Sequence, residues 1–244
     1  MSIPIAAIVL LAGLMIGAAG IGGVLVVPAL TAAGGVPLER AIAASMAGFL
    51  ATGIVATFWR RGGAAGAQLL PLGIAALAGA AAGAALVEWV PGTAIRLFIA
   101  AVAIASGLHA LVPIRTADER ERALPRAALG AIGAVVGVGS ALSGTGGPVM
   151  LLPILLLCRV PVRTGIALAQ VVQLPIAASA TAVNAAQDRL EPALALAVAG
   201  LLVAGALGGY WLAARVETGA LKRVVAVGLI ALGIWYAYAA LVPA

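Results

Sequence analysis

Charge is what this 244-residue chain has least of: Lys, Arg, Asp and Glu together make up 9% of it, against roughly 25% in a soluble globular domain. So few charged side chains cannot cover a soluble fold, which excludes that class. Aromatic residues are scarce as well, at 4%, and there is one cysteine, Cys158, and one histidine, His109. A single cysteine excludes an internal disulfide, and no metal site or cofactor is expected. Carboxylates are missing where they would matter most. Glu39, Glu88, Asp188, Glu191 and Glu217 all fall at the ends of apolar runs, and Asp118, Glu119 and Glu121 lie in the one polar link. A proton relay of the Asp/Glu kind inside a membrane is therefore absent from the sequence.

What is present is apolar: 64% of the residues are hydrophobic and the mean hydropathy is +1.20. Apolar runs fill the chain almost end to end, which reads as an all-α polytopic membrane protein whose main partner is the lipid bilayer. The net charge of +6 would suggest nucleic acid in a soluble protein. Here the sparse Lys and Arg sit at span ends, where they act as an orientation signal, and no nucleic-acid partner is expected. The N-terminus, Met1-Ser2-Ile3-Pro4, has no basic region before its apolar run, so that run reads as a retained segment and not as a cleaved signal peptide.

Glycine and proline punctuate the chain. The expected helices are Ile3 to Ala19, a short Val24 to Ala33, Leu38 to Trp59, Gln68 to Trp89 and Thr93 to Val112. The pattern then repeats as Ala127 to Leu142, a short Pro148 to Leu157, Thr164 to Gln187, Pro192 to Ala214 and Leu221 to Val242. Residues 1–112 form the first membrane repeat, 113–126 a cytoplasmic link and 127–244 the second repeat. At an offset of 124, Gly20, Gly22, Gly23, Pro37 and Ile42 meet Gly144, Gly146, Gly147, Pro161 and Ile166; at 126, Gly79, Gly83, Arg96 and Gly107 meet Gly205, Gly209, Lys222 and Gly233. Ordered matches at a nearly constant offset indicate an internal repeat.

The basic residues choose between two topologies. If each short helix and its predecessor form a hairpin that enters and leaves on one side, eleven Lys and Arg share one face and Arg40, Arg96 and Arg189 take the other. If each pair makes a single broken span, the same residues divide evenly. The positive-inside rule selects the hairpin. Two inverted repeats follow, each a glycine-broken helical hairpin plus three transmembrane helices, with both termini outside the cytoplasmic membrane. Inverted repeats with broken helices are a transporter architecture.

The breaks themselves carry the chemistry. Backbone freed from a helix within lipid must find partners in protein or in a water-filled cavity, and a helix start presents N–H groups and positive dipole to that space. Such a site suits a small anion. The candidate substrate-binding residues are Gly20, Gly22 and Gly23 at the first break and Ser143, Gly144, Thr145, Gly146 and Gly147 at the second, with Ser45, Gln170 and Gln173 from the following helices. Gln170 and Gln173 read equally well as interhelical hydrogen-bonders. Gly22→Leu and Gly146→Leu are expected to stop flux while leaving the fold intact.

The Gly-x-Gly-Gly element, used twice and followed each time by Pro37 or Pro161, resembles the sulfite exporter TauE/SafE family, also called the toluene sulfonate uptake permease family. The resemblance covers essentially the whole chain. It implies a carrier for sulfite, a sulfonate or a related organosulfur anion in the cell membrane, working by alternating access in which one half rocks against the other, and not an enzyme. Val24 and Pro148 stand where a fuller glycine triplet would continue, so the two breaks are expected to contribute unequally. Other readings stay open: an uncoupled channel for another small solute, a membrane subunit docking a partner through Arg115 to Arg126, a homo-oligomer, and, weakly, a hydrolase with a Ser143/His109 dyad.

Overall fold

Helix stops set the element boundaries, and the observed helices follow them closely. A computed structural model describes residues 2–20, 22–59, 66–111, 124–213, 215 and 218–242. The Arg60-Arg61 turn, Glu217 and the charged link residues from Arg115 to Arg122 lie outside the described residues. The helices are α1 Ile3–Ala19, α2 Gly23–Ala33, α3 Leu38–Trp59, α4 Gly66–Leu86, α5 Gly92–Leu111, α6 Arg126–Ser143, α7 Pro148–Leu157, α8 Val162–Ala186, α9 Pro192–Ala213 and α10 Thr218–Leu241. No strand occurs among the described residues.

α2 is irregular. It opens with a 3₁₀ turn over Gly23–Leu25 and widens to π geometry over Ala29–Ala33. Pro28 lies between them and has no N–H for the helical ladder, which favours such a local change of pitch. Among the described residues six helices, α3, α4, α5, α6, α8 and α9, are long and apolar enough to cross a membrane, which makes the chain a multi-pass membrane protein. α10 runs for 24 residues, and Ala226–Leu241 is its apolar stretch.

Both short helices fold back on their predecessors. A Cβ on Gly34, just past α2, would stand 3.1 Å from Ile5 near the start of α1. On the other side, Met150 of α7 returns to Ser140 and Gly139 of α6. Each break therefore forms the tip of a helical hairpin.

Large side chains do not build the main interfaces. α1 packs along α9 and α4 along α6 through glycines so close that a Cβ would strike the opposite backbone: Gly13 meets the carbonyl of Leu202, Gly205 that of Leu10, Gly137 that of Ala76 and Gly79 that of Ala134. Small residues allow this approach, which is how helices associate where no hydrophobic effect drives them together. The two interfaces duplicate one another: Leu10 and Ala134 are 124 apart, Gly205 and Gly79 are 126 apart, and in both the helices run parallel. The sequence offsets of 124 and 126 thus recur between these contacts. α5 and α10 run antiparallel, with Gly107 against Ala226 and Ile230, and Gly233 against Ala100 and Ile104.

Candidate functional site

The two breaks are built alike. α1 ends in Gly20 with φ 71° and α6 in Gly144 with φ 65°, each in the left-handed region and each returning its N–H to the preceding turn, at Ile16 and Ser140. Two residues on, Gly22 and Gly146 again take positive φ, 154° and 80°. Glycine adopts this region without the steric penalty of a Cβ, so the shared spacing has a conformational cause.

The hairpin tips meet. A Cβ on Gly23 would fall 2.7 Å from the carbonyl oxygen of Thr145, and one on Gly144 would fall 2.6 Å from Val27. The space between them is occupied by the Phe49 ring, 1% exposed, which would lie 2.8 Å from a Cβ on either Gly23 or Gly146. Phe49 stands 124 positions before Gln173, and Gln173 Nε2 donates to the Phe49 carbonyl at 3.0 Å and to Thr52 Oγ1 at 3.1 Å. Positions 124 apart in the sequence therefore touch, one side chain an amide and the other an aromatic ring.

Beside this crossing lies a cavity lined by Ile16, Gly20, Thr52, Ala56, Pro148, Gln170, Gln173 and Tyr210. It holds about 270 Å³ of unfilled space, counting its mouth. Its core admits little more than one water-sized sphere, so an oxyanion enters only when the walls part. Ala56 and Tyr210 belong to the last turns of α3 and α9, which places the cavity nearer the face where those helices end. Among the described residues no Lys, Arg, Asp or Glu lines it. Gln170 Oε1 is buried without a hydrogen-bond partner among the described residues, an arrangement that costs about 1–3 kcal/mol and marks a place prepared for a donor or a water.

Of the residues expected from sequence, Gly20, Gln170 and Gln173 come together on this cavity. Gly22, Gly23, Gly144, Gly146 and Gly147 form the tips behind it. The hydroxyls point elsewhere: Ser143 Oγ donates to the Gly139 carbonyl at 2.7 Å and pairs with Thr145 Oγ1 at 2.9 Å, while Ser45 Oγ donates to the Ala41 carbonyl at 2.7 Å. Tyr210, Pro148 and Phe49 were not anticipated. An aromatic one turn from a helix end reads as a membrane-belt residue, and a phenylalanine in an apolar helix carries no contrast. The repeat offset that pairs Phe49 with Gln173 was the available signal.

Ser143 and His109 share no hydrogen bond and no cavity among the described residues. His109 Nε2 has no hydrogen-bond partner among the described residues and faces a separate cavity with Ser106, Val149, Leu152 and Pro153, whereas Ser143 is already bonded to Gly139 and Thr145. Among the described residues no group of three or more His, Cys, Asp or Glu could hold a metal ion.

No curated protein and no solved structure matches the chain. A family profile does: the one described as Sulfite exporter TauE/SafE matches residues 5–236, from the first turn of α1 to near the end of α10. The family is one of membrane transporters, in keeping with a helical bundle whose glycine-broken hairpins meet beside a polar cavity. By a match over nearly its whole length, the chain belongs to the sulfite exporter TauE/SafE family.

Proposed function

We propose that the protein is a secondary transporter that carries a small sulfur-containing anion, sulfite or a sulfonate, across the cytoplasmic membrane by alternating access. The cavity of Gln170 and Gln173 is its substrate site. The observation that carries this reading is the combination, in one cavity, of the Gln170 and Gln173 amides and the start of α7, with no fixed charge among the described lining residues to hold an anion too tightly. Rotation of the Gln170 amide would turn its N–H₂ to an oxyanion, and the Val149 backbone N–H in the first turn of α7 would add to it.

The antiparallel course of α5 and α10 supports the inverted arrangement, because equivalent helices of an inverted repeat run in opposite directions. Eleven of fourteen basic residues then face the cytoplasm and both termini lie outside.

The test is flux of radiolabelled sulfite into liposomes, together with thermal unfolding against sulfite, sulfate, taurine, acetate and chloride at matched ionic strength. A ligand that binds only the folded state raises stability with its concentration. Selective stabilisation by one sulfur oxyanion is the expected result, and a well-folded sample that responds to none would overturn the substrate class. Gln170→Leu removes one hydrogen bond to a charged ligand, worth about 1.5–3 kcal/mol, so half-saturation rises roughly ten- to hundredfold.

A further inference from the structure

On α3 the residues Ala56, Thr52 and Phe49 follow one another along one face. The first two line the cavity, and the third lies one turn deeper, its ring filling the space between the hairpin tips at Gly23 and Gly146. Anything that passes from the cavity toward the opposite face between the tips meets this ring. Gly23 approaches the Thr145 carbonyl on one side and Gly147 approaches Ile176 on the other, which narrows the space beside the ring.

The ring is also tied to the site. Gln173 Nε2 lines the cavity and at the same time donates to the carbonyl of Phe49, which also accepts from Thr52 Oγ1 at 3.2 Å. An anion that takes the Gln173 N–H for itself releases the turn of α3 that carries the ring.

We propose that Phe49 is the gate of the transport pathway: its ring closes the passage between the hairpin tips, and the Gln173 amide holds it closed until an anion competes for that amide. The inference rests on the transport reading, and its test separates the two. Purified protein is reconstituted into liposomes that hold a halide-quenched dye, and iodide is added outside. Wild-type vesicles stay as tight as empty ones. Phe49→Ala raises iodide entry at least tenfold, and Phe49→Leu, which keeps most of the bulk, restores tightness. Leu72→Ala, a comparable truncation at a fully buried position of α4, controls for loosened packing and leaves the vesicles tight.

A Phe49→Ala protein that unfolds as cooperatively as wild type yet stays tight overturns the gate, as does equal leakage through Leu72→Ala or through wild type. If Phe49→Ala leaks but wild type never moves radiolabelled sulfite, the gate stands and the substrate reading fails. Sulfite flux with a tight Phe49→Ala protein is the reverse outcome.

Discussion

A glycine here is judged by what its missing Cβ would meet. At Gly146 the backbone has φ 80° and a Cβ would press on the Phe49 ring at 2.8 Å, so substitution adds left-handed strain of about 1–2 kcal/mol to a clash. Gly146→Ala is therefore expected to lower the melting temperature markedly in detergent. Gly200 in α9 has open space around it and helical backbone, and Gly200→Ala should stabilise by about 0.5–1 kcal/mol. Equal responses to the two substitutions would refute this distinction. The same geometry revises one sequence expectation: Gly146→Leu cannot block flux and leave the fold intact, because the position serves packing before it serves a ligand.

At the scale of elements, the turn between α8 and α9 is anchored by a buried cation. Arg189 donates from Nη1 to the Ala84 carbonyl at 2.8 Å and from Nε to Glu88 Oε1 at 3.1 Å, with Nη2 2.7 Å from the same oxygen. It thereby caps the C-terminal end of α4, where a positive charge is favoured. Arg189→Leu should cost about 1–3 kcal/mol, less than breaking a fully buried pair, because the Glu88 side chain is 52% exposed and rehydrates. Arg40 and Glu191, both half-exposed and 3.8 Å apart, form a pair worth at most about 1 kcal/mol. Arg40→Ala should leave the melting curve within error, and a loss equal to that of Arg189→Leu would contradict the ranking. These elements were largely legible beforehand: α1, α3 and α7 begin and end where glycine and proline placed them, since those residues act locally. The site was half legible. Gln170 and Gln173 stand out against an apolar helix, whereas the mutual pairing of Ser143 with Thr145 and the ring between the tips depend on side-chain direction at a break, which spacing does not encode.

For the whole molecule, the extensive pairings α1 with α9, α4 with α6 and α8, α3 with α8 and α9, and α5 with α10 all join one half of the sequence to the other. Rocking one half against the other would break every one of them. The proposed alternating access would instead move bodies that each contain helices of both halves, such as the glycine-sealed pairs α1 with α9 and α4 with α6. Residues 1–112 and 127–244 expressed as separate chains should accumulate and copurify only when made together. Stable accumulation of either alone would show that the halves are independent folding units. The glycine seam of α1 also bears on how the protein is made. Its partner α9 begins roughly 190 residues later, so at about 5–20 residues per second the first helix waits on the order of ten to forty seconds in the bilayer with its narrow face unmatched. A mutation in α9 is therefore expected to be felt first as loss of chains whose α1 never found its place.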